Sequence, residues 1–171
     1  MVVTCLQLNL GVSRMIKSTW NMLFARKSEA DVLSSGVALL SPQFEQRRFA
    51  YVAGDVATSS GGPFAVGFFR RDDIEVGLIV RNRHELGCPN YSVSKGYAGH
   101  TELVSTLGRA GQEQLIHGDG LKYVARHGGD PFIALQNDLE SIVLAALDRS
   151  EEAFRESLAL AVKLAHARLG F

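Results

Sequence analysis

The chain is poor in the residues that staple small folds together. Only 2 of its 171 residues are cysteine, Cys5 and Cys88. Two cysteines so far apart make no disulfide framework, so a cytoplasmic protein held by its core is expected. Neither charge is in excess, because 18 Lys+Arg balance 18 Asp+Glu. That balance speaks against a dedicated DNA-binding module, whose footprint is basic. No apolar run approaches the ~18 residues that cross a bilayer, so no membrane partner is expected. The start, "MVVTCLQLNLGV", is interrupted by Thr4, Gln7 and Asn9 and lacks the basic segment and cleavage site of a signal peptide. Proline amounts to 4 residues, and no linker, repeat or low-complexity tract stands out.

The usual catalytic motifs are absent as well. There is no G-x-S-x-G, no H-E-x-x-H and no complete dinucleotide fingerprint. The loop "DVATSSGGP" has the glycines of a phosphate cradle, but no lysine follows and no helix opens there. No cofactor is expected on these grounds.

What is present is a chain with 46% hydrophobic and 21% charged residues, long enough to build one substantial core. We expect a single α+β domain over residues 1–171, with 1–12 a flexible leader or an edge strand. From Ser13 the residues Ile16, Trp20, Leu23 and Phe24 recur at helical spacing, and "SEADVLSSG" adds a turn or two before Gly36 ends the helix. "GVALLS" and "RRFAYVAG" read as short strands separated by "PQFEQ". The clearest alternation follows. In "FAVGFFRR", Phe64, Val66 and Phe68 alternate with Ala65, Gly67 and Phe69; in "IEVGLIVRNR", Ile74, Val76, Leu78 and Val80 form one face. With the turn "RDD" between them, these runs predict an antiparallel hairpin, and Gly67 and Gly77 mark bulges or close crossings.

Further on, "HTELVSTLG" predicts a short helix stopped by Gly108, and Asp119-Gly120 predicts a second hairpin, with a helix from Leu121 to His127 competing. Asp130 followed by Pro131 opens a helix whose stripe is Phe132, Leu135, Leu139, Ile142, Val143 and Ala146. Asp148 and Glu151 have capping-box spacing, and Phe154, Leu158, Val162, Ala165 and Leu169 form a second stripe. The expected architecture is therefore an antiparallel sheet of about 4–6 strands, carrying an N-terminal helix and a C-terminal helical hairpin. Leu160 and Leu164 lie off the last stripe, which a buried position or a homodimer through that helix explains.

Chemistry-bearing residues gather in "RNRHELGCPNYSVSKGYAGH", residues 81–100, which reads as a long polar loop leaving the best strand. A thiolate needs a neighbouring base, and Cys88 has His84 and His100 as candidates. Pro89 and the absence of a helix after Cys88 favour a packed cysteine instead. His84, Cys88, His100 and His117 lack the tight pairing of zinc ligands, so no metal is expected. Arginines cluster as Arg47-Arg48, Arg70-Arg71 and Arg81-Arg83, with Phe49, Tyr51 and Phe69 as aromatics that could join them on an RNA-binding sheet. Neutralisation of Arg70-Arg71 by Asp72-Asp73 is the preferred account.

The segments "DDIEVGLIVRNRHELGCPNYSVSKGYAGHTELVSTLG" and "HGGDPFIALQNDLESIV" resemble, in layout, small single-domain immunity proteins of bacterial toxin systems. The shared features are a strand, a polar loop with Pro-Asn-Tyr, a helix opened by Gly-His and a helix capped by Gly-Asp-Pro. The resemblance covers the C-terminal half; Met1 to Gly62 has no counterpart. It implies no catalysis, only the binding and blocking of one toxin by a surface that varies among relatives. The leading expectation is thus a protein-binding module, with Arg81, Arg83, Glu85, Tyr91, Lys95 and Tyr97 as contacts, since tyrosine and arginine dominate interface hot spots. A small enzyme using Cys88 and a nucleic-acid-binding accessory protein are the alternatives.

Overall fold

The computed structural model describes residues 27–82, 85–94, 96–109, 122–123 and 130–169. Helix α1 spans Glu29–Glu45. Ser28 opens it with a capping box, its hydroxyl accepting from the Asp31 amide while the Asp31 carboxylate accepts from the Ser28 amide. This helix absorbs two segments that read otherwise in the sequence. Gly36 does not end it, and "GVALLS" continues it as far as Pro42 and beyond. Gly36 is internal because the Phe132 ring occupies the place its side chain would take. Leu33, Val37, Leu40 and Phe44 line one buried face of this helix, and Leu39 packs against the core beside them, so the unbroken run "VALL" imitates a strand.

The sheet is antiparallel throughout. Strands β1 (Ala50–Ser59), β2 (Gly62–Arg71) and β3 (Ile74–Arg81) form a meander, and Asp72 takes a left-handed conformation in the turn from β2 to β3. The hairpin expected from alternation is present, with Phe69 opposite Val76 and Gly67 opposite Leu78. Next come β4 (Glu85–Gly87), β5 (Asn90–Val93) and β6 (Gly96–Gly99). Both β4 and β5 pair with β3, but Leu86 faces Val80 while Asn90 faces Gly77. The register therefore slips by one residue between them, and Cys88-Pro89 takes up the slack as a bulge would. β6 extends the sheet beyond β5, and the short β7 (Lys122–Tyr123) extends it beyond β4. The stretch expected to be a polar loop is thus mostly strand.

Helix α2 (His100–Val104) follows directly, continuing as a π-helical turn over Ser105–Arg109 that includes Gly108. The C-terminal helical pair is as expected. Asp130 caps α3 (Pro131–Asp138), a π-helical stretch Leu139–Leu144 leads to α4 (Ala145–Arg149), and α5 runs over Glu151–Leu169. Ser150, not Asp148, caps α5, its hydroxyl accepting from the Ala153 amide. The result is an α+β layout in which the described helices all lie on one side of the sheet. Helix α1 packs on β1 to β3, and α5 on β5 and β6. The core lies between, with Phe44 stacked on Phe69 at 4.0 Å and Leu78, Leu86, Leu103, Leu139 and Leu158 buried around them. Among the described residues no helix is long and apolar enough to cross a membrane. The predicted N-terminal helix around Trp20 and the Asp119-Gly120 turn lie outside the described residues.

Candidate functional site

Strand parity divides the central residues between two faces, and the cross-strand register shows which side chains share each face. Tyr51, Phe69, Val76, Tyr91 and Ala98 stand in one line across the sheet, facing the helices. The opposite face carries the neighbouring lines. One is Ala50, Arg70, Glu75, Ser92 and Tyr97; the next is Val52, Phe68, Gly77, Asn90 and Gly99. Beyond them Val66 pairs with Ile79, and Phe64 pairs with Arg81, which faces Glu85. No described helix covers this second face.

Its character is mixed, with an apolar centre and polar margins. Phe64, Val66, Phe68 and Ile79 are half-buried, while Val52 and Tyr97 are 37% and 61% exposed. A depression of about 330 Å³ is lined by Val66, Phe68, Glu75, Gly77, Ile79, Asn90 and Tyr97. Gly77 keeps it open, and a Cβ added there would reach only ordinary contact with Phe68, at 3.5 Å. At the margin Arg70 donates to Glu75 at 2.6 Å and lies 4.9 Å from the Phe68 ring centre. An apolar patch rimmed by charge on a face that no described helix covers is the usual appearance of an interaction surface.

The sequence-predicted residues divide sharply against this frame. Arg81, Glu85 and Tyr97 are exposed and share the open face. Tyr91 does not, and this is a correction: its side chain is fully buried on the helix-facing side, where no partner reaches it. Arg83, Lys95 and His84 lie outside the described residues, as does His117. Val52, Phe64, Phe68, Ile79 and Asn90 were missed as surface residues. The available signal was that both alternating sets of β2 are apolar, so one set had to face outward once helices covered the other.

The catalytic candidates sit on the helix-facing side. His100 is 1% exposed at the start of α2, and its Nδ1 lies 2.7 Å from the Tyr91 hydroxyl. The bond works in either tautomer, the hydroxyl donating to a bare Nδ1 or accepting from Nδ1–H. Burial pushes the imidazole down to about 4, so it is neutral at pH 7. Burial, followed by electrostatic repulsion from Cys88 and Asp138, drives the Tyr91 phenol well above its ordinary value. Cys88 is partly buried at the strand slip and packs against the core. His100 is therefore committed to Tyr91 through Nδ1, in a buried setting that keeps it uncharged. Among the described residues no group of His, Cys, Asp and Glu is placed to hold a metal ion.

The arginines also depart from expectation. Arg47, Arg48, Arg70 and Arg71 do line one cleft, of about 650 Å³, with Asp72, Asp148 and Glu151. Arg81 is at the opposite end of β3. Arg47 forks onto Asp148 at 2.5 and 2.7 Å, and this hydrogen bonding holds the Asp148 carboxyl below the usual carboxylate range. Arg71 Nη2 lies 2.9 Å from Glu151 but off the hydrogen-bonding line, so charge alone joins them. The partners of Arg70 and Arg71 are thus Glu75 and Glu151, not Asp72 and Asp73; Asp73 instead pairs with Arg155. Phe49 and Phe69 are buried, and Tyr51 faces the helix side, so that trio forms no exposed stacking platform.

No protein-family model matches the chain, and no curated protein or solved structure shows significant similarity to it.

Proposed function

We propose that the protein is a protein-binding module of the immunity type, which uses the sheet face that no described helix covers to occlude a cognate toxin. The observation that carries this reading is the open face itself. It sets an apolar centre of Val52, Val66, Phe68 and Ile79 around the Gly77 depression and carries Tyr97, Arg81 and Glu85 at its borders. From the Tyr97 line to the Arg81 line the face runs about 20 Å along β3, six residues at strand rise. A standard interface core is of that size, and aromatic and arginine side chains are its usual anchors. The enzyme reading is weakened because His100 is buried, neutral and engaged by Tyr91. The nucleic-acid reading is weakened because Arg47, Arg70 and Arg71 are each matched by a carboxylate.

The test is binding to the product of the reading frame adjacent to this protein's own, by calorimetry, with protection from its toxicity as a second readout. Tyr97→Ala and Val52→Asp each weaken binding at least tenfold, because each strikes the exposed part of the patch. Tight binding that both variants leave unchanged would remove the sheet face from the interface. Absence of binding and protection removes the immunity reading.

A further inference from the structure

Helix α5 buries Phe154, Leu158, Ala161 and Ala165 against the rest of the domain. Beside that buried face runs a second stripe, Ala153, Ser157, Leu160, Leu164 and Ala167, which repeats at alternating steps of four and three residues. Such spacing keeps one line of side chains facing a partner helix along several turns. Leu160 and Leu164 are 50% and 45% exposed, among the more exposed large apolar side chains of the described residues. Small residues stand at both ends of the stripe and between its start and the leucines. Glu156 and Lys163 flank it, both on the same side, and neither is joined to another described residue by an ion pair.

We infer that a second copy of this chain docks on this stripe, α5 against α5, antiparallel about a twofold axis at Leu160. This goes beyond the sheet-face reading and does not depend on it. Antiparallel alignment centred there sets Leu160 against its counterpart, Leu164 beside Ser157 of the other copy and Ala167 beside its Ala153. Leu164 thus meets a small residue and the ends are alanine against alanine, which allows the helices to approach closely on either side of the Leu160 pair. A perpendicular twofold keeps each flank facing the same flank of the other helix. Glu156 of each copy therefore meets Lys163 of the other, twice per dimer. Parallel alignment, whose twofold runs along the helices, would instead turn this flank onto the opposite one, setting Glu156 beside Ala161 and Lys163 beside Arg168, so charge favours the antiparallel arrangement. The opposite flank is already in use, Ala161 being buried and Arg168 paired with Glu102 at 2.7 Å.

The test is sedimentation equilibrium of the full chain over a wide concentration range. The expected mass is that of two 18.6 kDa chains, dissociating on dilution. Leu160→Glu gives the single-chain mass, with an unchanged circular dichroism spectrum showing that the exposed site tolerates the charge. Glu156→Lys and Lys163→Glu each raise the dissociation constant about tenfold, since each replaces two attractive contacts by repulsive ones. The double swap restores wild-type affinity within about threefold, because the pairs are re-formed with reversed sign. A single-chain mass at every concentration overturns the proposal, as does a dimer indifferent to Leu160→Glu. A dimer weakened by both reversals but not rescued by the double swap overturns the antiparallel pairing.

Discussion

His100 occupies a position where charge is hard to place. It is 1% exposed, its Nδ1 is taken by the Tyr91 hydroxyl, and burial pushes its titration down to about 4. An unfolded chain binds the same proton near the ordinary 6.5. Between these values the unfolded state holds more protons than the folded one, so stability rises with pH. The contribution is fully present above about pH 6.5, is lost as pH falls towards about 4, and reaches roughly 3 kcal/mol in all. Asp73 and Asp148, held below the usual carboxylate range chiefly by hydrogen bonds from Arg155 and Arg47, lose their stabilisation only as pH falls below about 4. The two windows are therefore separable. Urea unfolding at pH 6.8 and at pH 4.5 should show a loss of about 2–3 kcal/mol for the wild type. His100→Asn keeps a group at the Nδ1 position without a titrating ring, so it should be less stable at pH 6.8 yet nearly flat across this window. An undiminished slope in the variant would show that another group carries the pH dependence.

Among the elements, α1 shows most clearly where sequence and structure part. A glycine followed by "VALLS" imitates the end of a helix and the start of a strand, and Pro42 reinforces that impression. The helix continues because tertiary packing overrides propensity: Gly36 receives the Phe132 ring while Leu33, Val37, Leu40 and Phe44 enter the core. The same blindness to tertiary partners misplaced Tyr91. Asn90 and Ser92 made its segment look like loop, whereas pairing to β3 turns it into a strand with Tyr91 inward. Local signals fared better where one residue pattern sufficed, as in the β2–β3 alternation and the Asp130-Pro131 helix start. The α1–α3 contact yields a prediction with a change of sign. Gly36→Ala alone should destabilise by about 1–3 kcal/mol, because its Cβ would enter the Phe132 ring. In a Phe132→Ala background the obstacle is gone, and the same change should be neutral or stabilising by up to about 1 kcal/mol, the helix-propensity gain of alanine over glycine. Equal effects in both backgrounds, read by urea unfolding, would deny the contact its role.

For the whole molecule the governing fact is that the described helices lie on one side of a sheet that is apolar on both. The helix-facing side is packed; on the other, the described apolar residues are half-buried or exposed. Two mid-strand glycines sample these sides under otherwise similar backbone conditions. At Gly67 on the packed side, a Cβ would strike the Tyr51 ring and push it from Phe69, whose centre lies 5.5 Å away. Gly67→Ala should therefore destabilise by about 1–2 kcal/mol. At Gly77 on the open side, a Cβ meets Phe68 at an ordinary 3.5 Å and the backbone conformation is unstrained. Gly77→Ala should leave stability unchanged or raise it by up to about 1 kcal/mol, since alanine restricts the unfolded chain. Yet it narrows the depression to which Val66, Phe68, Ile79 and Tyr97 contribute, so partner affinity should fall while stability holds or improves. That opposition is the signature expected of an interaction surface, because core positions lose stability first and binding only as a consequence. Thermal unfolding and calorimetric titration on the same two variants measure both quantities, and a Gly77→Ala protein that binds as tightly as the wild type would show that nothing enters the depression.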